Sequence, residues 1–238
     1  METSNGMNKT KLLIIGGVLI VFALGVTQFL SPRQAVSPTL QTATSTSEQS
    51  VSTTTSFIIA TTTVNVVKRP VVNPLPIAKG DVVTSWDFVG AYTNNPELIA
   101  KADAEIKRIT DLLGKRTYTD MAIYVGIANQ YELIGNGKKQ YDFLIQAVRV
   151  GGAESGLPWH NLGVLMERLG ALQTARIAYE KSTLIQPQFK FYHYAYLEFI
   201  TKKMKDDVVD IEKAFTAANK YFSTDADIIQ LRAEWQGS

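Results

Sequence analysis

"LPWHNLGVLMERLGALQTARIAYEKSTLIQPQ", residues 157–188, decides the fold class. Trp159, Leu162 and Met166 recur at intervals of three and four residues, and so do Ala175 and Tyr179 further along. That spacing places each set on one face of a helix. Gly170 ends the first helix, and Pro187 stops the second. These side chains suit packing rather than acid–base chemistry. Gly163 sits in mid-helix, where a missing side chain lets the partner helix come close.

The pattern recurs. Thirty-five residues upstream of Trp159 stand Tyr124, and with it Ile127, Ala128, Tyr131, Gly135, Leu144 and Ala147. Thirty-four residues downstream stand His193, Tyr196, Leu197, Ile200 and Met204, followed two residues late by Phe215 and Ala218. Self-similarity at such a period marks stacked helix–turn–helix units. Each unit buries its apolar face on its neighbours, and the last unit needs a cap. Thr224 and Asp227 are spaced like a capping box, and Ile228, Leu231 and Trp235 form one stripe, so a terminal helix is expected over residues 224–238.

Residues 156–189 resemble a tetratricopeptide repeat. Its pattern W-x2-L-G-x2-Y, A-x3-F, P stands here as Trp159, Leu162, Gly163, Met166, Ala175, Tyr179 and Pro187. The first unit departs at Gln140 and Gly152, and the third at His193, Ile211 and Ser223. The resemblance covers residues 121–223 and implies an all-α, short solenoid of antiparallel helix pairs. It also implies a scaffold whose first helices line a concave groove that holds a peptide or a partner helix. Carried over by spacing, the groove residues are Val125, Asn129 and Glu132, then His160, Val164 and Glu167, then Tyr194, Glu198 and Thr201. Glutamate recurs at one repeat position (132, 167, 198), which favours a basic or polar ligand with aromatic contacts to Tyr194. Three solvated glutamates without a ligand are the alternative.

Ahead of the repeats, Asn95, Pro96 and Glu97 form a helix start. Ile99, Ala102, Ile106, Ile109 and Leu113 continue it to Gly114. This helix is expected to cap the array, or to be half of a degenerate repeat, within residues 81–120. The whole tract from Val82 onward is expected to be helical.

The N-terminal part is of another kind. Residues 12–26 carry no polar side chain, and Phe29 and Leu30 extend the run. This approaches the roughly 20 residues that cross a bilayer. Lys9 and Lys11 precede it, which places the N-terminus on the cytoplasmic side and the rest outside. The reading is a membrane anchor over residues 12–30. A signal peptide cut after Ala23-Leu24-Gly25, releasing a secreted protein, is the alternative. Residues 31–80 are rich in Ser, Thr and Pro, with Glu48 the sole charge between Arg33 and Lys68. Such a tract cannot bury enough apolar area to fold and is expected to be a disordered linker, either a plain spacer or an O-glycosylated stalk. "FIIATTTVNVV" within it is more β-prone and could pair with something.

Composition narrows the chemistry. The 238 residues are 45% hydrophobic and carry a formal net charge of +2, too little to point to nucleic acid. No cysteine is present, so disulfides, thiolate metal sites and cysteine nucleophiles are excluded. No phosphate-binding loop or His-Glu-x-x-His occurs. The glycine-rich "VGGAESG" beginning at Val150 follows a helix and reads as a turn. Asp206, Asp207 and Asp210 read as helix caps. Neither a metal nor a cofactor is expected, and an enzyme is not the reading. Two functions remain: a membrane-tethered adaptor for a protein partner, or a structural domain that self-associates.

Overall fold

The computed structural model describes residues 72–237. Eight α-helices occur among them: α1 Pro96–Thr110, α2 Asp120–Ile134, α3 Gly137–Gly151, α4 Leu157–Arg168, α5 Leu172–Ile185, α6 Lys190–Lys203, α7 Val208–Phe222 and α8 Ala226–Gln236. No strand is present among the described residues, only one isolated bridge between Asp87 and Asn136. The fold is all-α and helical-repeat-like. The membrane-anchor and signal-peptide readings of residues 12–30, and residues 31–71 of the expected linker, lie outside the described residues. Among those described, no helix is long and apolar enough to cross a membrane.

Three helix pairs succeed one another: α2 with α3, α4 with α5, and α6 with α7. Short turns at residues 135–136, 169–171 and 204–207 join the partners, which makes each pair antiparallel. Gly135 ends α2 at a φ of 83°, where a glycine carries no Cβ penalty. Each helix packs on the next, and α8 packs on both α6 and α7.

The repeat positions do what their spacing predicts. Leu162, Met166 and Ala175 have no exposure, and Tyr179 has 3%. A Cβ placed on Gly163 would lie 2.8 Å from two carbons of the Tyr179 ring, so only glycine admits that ring. The Trp159 ring is 8% exposed and its Nε1 donates to the Gly152 carbonyl at 2.9 Å, tying α4 to the end of α3. Tyr179 lies 5.1 Å from Phe199 of α6, tying the second pair to the third. The aromatic positions thus bind units to each other as well as helices within a unit.

Several boundaries differ from expectation. Helix α1 ends at Thr110, and a turn carries the chain to Gly114. The cap of α8 is Asp225, whose carboxylate accepts from the amides of Asp227 and Ile228, so Thr224 forms no capping box. Val150 and Gly151 of the glycine-rich stretch belong to α3. Residues 82–95 form no helix, and the expected linker stops short of residue 80, because Leu75 is 2% exposed inside the core. Asp207 caps α7 as read, accepting from the amide of Asp210.

Replacing Gly163 by alanine sets the helix preference for alanine, worth about 1 kcal/mol, against forced movement of a buried ring, worth about 1–3 kcal/mol. The ring should dominate. Urea unfolding of Gly163→Ala is expected to show a net loss of about 1–2 kcal/mol.

Candidate binding face

All nine residues expected in the groove lie on the first helices of the pairs, α2, α4 and α6. They differ in access. Val125, His160 and Thr201 are buried at 2%, 4% and 6% exposure, so these three face the interior and cannot meet a ligand as they stand. The physical reason is the close packing at that level: Thr201 donates to the Leu197 carbonyl at 2.7 Å, and His160 is walled by rings. Asn129, Glu132, Val164, Glu167, Tyr194 and Glu198 are half-buried.

The glutamates at the repeated position each have a partner within the chain. Glu132 pairs with Arg168 of the next unit at 2.9 Å, Glu167 accepts from the Tyr179 hydroxyl at 2.9 Å, and Glu198 pairs with Lys202 at 2.6 Å. Two of the three charges are therefore answered by a cation, and the third is held by a neutral phenol. Burial, helped by Glu167, drives the Tyr179 phenol well above its ordinary range, so it stays a neutral donor.

His160 sits among Phe191, Tyr192 and Tyr179, with ring centroids at 4.6, 5.6 and 5.7 Å. Among the described residues its Nδ1 has no hydrogen-bond partner, and neither has the side-chain amide of the neighbouring buried Asn161. Burial lowers the His160 imidazole to about 4. His193 is shifted the same way by burial, opposed by its hydrogen bond to the Pro187 carbonyl. Phe191, which was not singled out from the sequence, covers His160 while remaining 47% exposed. With the half-buried Tyr194 it gives α6 an aromatic surface on the candidate face.

The main element missed in the sequence is a strap, residues 73–93, lying along the turns that join α2 to α3 and α4 to α5. At its start the Asn73 amide donates to the Tyr141 hydroxyl at 2.7 Å, which in turn donates to the Leu75 carbonyl at 2.5 Å. The Asp81 carboxylate accepts from the amides of Gln173 and Thr174 and from the Thr174 hydroxyl, at 3.2, 2.7 and 2.7 Å. These are first-turn donors of α5, whose own cap position is Ala171 and offers no side-chain acceptor. Further on, the Trp86 carbonyl accepts from Gly137 at 2.9 Å, the Phe88 amide donates to Gly135, and the Tyr92 amide donates to Leu133. Gly90 lies so close to the end of α2 that a Cβ there would be 2.4 Å from the Leu133 carbonyl oxygen. The Arg168 guanidinium, already paired with Glu132, lies 4.6 Å over the Phe88 ring. Strap, first unit and second unit meet at that arginine. A signal for the strap did exist: an uncapped α5 requires acceptors from elsewhere, and Asp81 and the aromatic pair Trp86 and Phe88 stood ahead of the helices.

Among the described residues, no three acidic or histidine side chains gather where they could hold a metal ion. Asp210, from the acidic run, pairs with Lys213 and with Arg176 of α5; Lys213 is the main cause of its lowered carboxyl. No protein-family model, no curated protein and no solved structure matches this chain.

Two outcomes follow from this geometry. Asp81→Ala removes a helix cap, which costs about 0.5–2 kcal/mol. Hydrogen exchange is expected to accelerate at the amides of Gln173 and Thr174 ahead of the rest of α5. The second concerns pH. The folded His160 titrates near 4, below the unfolded value of about 6.5. Above the unfolded value both states are neutral and stability is full. As pH falls from there toward the folded value, only the unfolded chain takes the proton. Stability therefore drops, by at most about 3 kcal/mol from this group. In His160→Gln that part of the acid slope should vanish in urea titrations between those pH limits.

Proposed function

We propose that this chain is a membrane-tethered adaptor of tetratricopeptide-like architecture, whose helical domain holds a protein partner outside the cytoplasm. Residues 12–30 would be the anchor and the tract up to the strap the spacer. The repeat interval, the close seating of Tyr179 on Gly163 and the alignment of α2, α4 and α6 support the architecture. One observation carries the binding role: the exposed Phe191 ring beside Tyr194 on α6. Large rings held rigidly at a surface bury much area at little entropic cost, which makes them anchors of protein interfaces. With Glu132 and Glu167 committed to Arg168 and Tyr179, the ligand is recognised chiefly by apolar contact, and Glu198, whose exposed pair with Lys202 a ligand can displace, adds a preference for a polar or basic neighbour.

The test uses the full chain in its own membranes, cross-linked and captured. Phe191→Ala and Tyr194→Ala are each expected to reduce the captured partner by tenfold or more, about 1.4 kcal/mol; because Phe191 also covers His160, it is Tyr194→Ala whose unfolding midpoint should stay little changed. Undiminished capture by both variants would end the adaptor reading. Glu198→Ala isolates the charge preference, since alanine at Glu132 or Glu167 also breaks a bond within the fold.

A second reading, self-association, is favoured by a shallow open depression on α7. It is lined by Val208 and Val209, 53% and 66% exposed, with Glu212, Lys213 and Thr216. Light scattering of the detergent-solubilised chain distinguishes the two: a concentration-dependent oligomer lost in Val209→Asp supports self-association.

A further inference from the structure

We infer that the edge of the array formed by the C-terminal ends of α3, α5 and α7 docks on an anionic lipid surface. The next-to-last residue of each of these helices is a large apolar side chain left in water: Val150, Leu184 and Tyr221, at 51%, 64% and 54% exposure. The connections that follow the three helices touch in sequence. The Gly156 amide donates to the Gln186 side chain at 2.7 Å, and Lys190 pairs with Asp225 and Asp227 at 3.0 and 2.9 Å. The three ends therefore share one edge, opposite the turns that the strap occupies. Phe189, 42% exposed, stands in the middle connection.

Each end also carries an exposed cation within one turn of its apolar residue: Arg149, Lys181 and Lys220. Among the described residues none of these three forms an ion pair. The carboxylates nearby are Glu154, which has no ion pair among the described residues, Asp225 and Asp227, which share the single cation Lys190, and Glu180, 3.9 Å from an Arg176 that also pairs with Asp210. Three unpaired cations against Glu154 and the one carboxylate in excess at Lys190 leave the edge weakly positive. The three apolar residues stand at the ends of successive second helices and so line the same edge of the array. Lysine and arginine reaching to headgroups while aliphatic and tyrosine side chains enter the interface is how proteins bind charged bilayers. An acidic, apolar protein segment could use the same charges, and the experiment separates the two. The inference rests on the proposed tether only for proximity, which raises the effective concentration of the edge at the bilayer.

The chain has no cysteine, so one can be introduced and labelled alone. Full-length protein carrying a fluorophore at Leu184→Cys is mixed with vesicles of phosphatidylcholine, with or without phosphatidylglycerol, containing lipid-attached nitroxide. A second label at Val82→Cys, beside the strap and 69% exposed, reports the opposite edge. Quenching at position 184 is expected in anionic vesicles only, with position 82 at least twofold less affected. Neutralising the three cations together (R149Q, K181Q, K220Q) is expected to weaken the anionic preference about a hundredfold, from the usual contribution of each basic residue near such a surface. Equal quenching at both positions, quenching indifferent to lipid charge, or no effect of the triple variant would overturn the inference. So would a triple variant that releases a captured acidic protein while position 184 stays unquenched. A failed tether shows differently, as absence of the chain from neutral vesicles. In that case recruitment to anionic vesicles alone, lost in the triple variant, still decides the role of the edge.

Discussion

The stack depends on one contact, the Tyr179 ring lying on the bare backbone of Gly163. No side chain fits between them, so helices α4 and α5 approach as closely as their backbones allow. The same ring reaches Phe199 of the next unit, and its hydroxyl satisfies Glu167. One residue thereby sets the distance within a pair, the contact between pairs and the fate of a charge. The first unit solves the problem with Ala128 and Leu144, both without exposure, a slightly larger residue under a slightly smaller one. In the third, Leu197 stands where Gly163 does, and the opposing Phe215 stacks on Trp235 of α8 at 5.7 Å. The terminal helix thus completes the packing of a unit whose own pair lacks the small residue.

The strap follows from a second constraint, that backbone donors at helix starts need acceptors. Helix α5 begins after Gly170 and Ala171, a tight turn that supplies none, and Asp81 reaches across the chain to provide them. Helix α3, by contrast, has Asn136 as its own cap, and there the strap bonds to the turn itself through Trp86 and Phe88. The strap is therefore part of the fold. Its hydrogen bonds run to scattered donors and acceptors at the helix ends and the turns between them, so it builds no strand ladder.

The helical pairs were legible in the sequence because a close helix crossing needs small and large residues at set intervals, and that need is local and periodic. Asn95 and Asp207 were legible as caps for the same reason: a cap acts on amides two or three residues away. The strap was not, because its contacts join residues more than 40 apart and no period announces them. The compositional change near residue 80 suggested a boundary that Leu75 and Asn73 cross. The residues carried over from the repeat pattern all lie on the first helices of the pairs, but spacing alone did not separate the accessible ones from the buried ones. His160 and Tyr194 hold equivalent repeat positions, yet His160 lies under Phe191 of the following unit while Tyr194 is half-exposed. What covers a position depends on the neighbour's side chain, which differs between units.

Charge pairing divides the surfaces of this domain. On the candidate face, carboxylate and cation meet within the chain: Arg168 answers Glu132, and Lys202 answers Glu198. Such half-buried pairs fix side chains in place and leave little field outside, so a partner arriving there meets shape and aromatic area first. At the ends of α3, α5 and α7, Arg149, Lys181 and Lys220 stand beside exposed apolar groups and form no ion pair among the described residues. A surface that keeps exposed apolar residues and unanswered charges together gains most from a partner that supplies both apolar contact and opposite charge. The two faces therefore differ in chemistry, one presenting paired charges with aromatic area and the other exposed apolar residues beside unpaired cations.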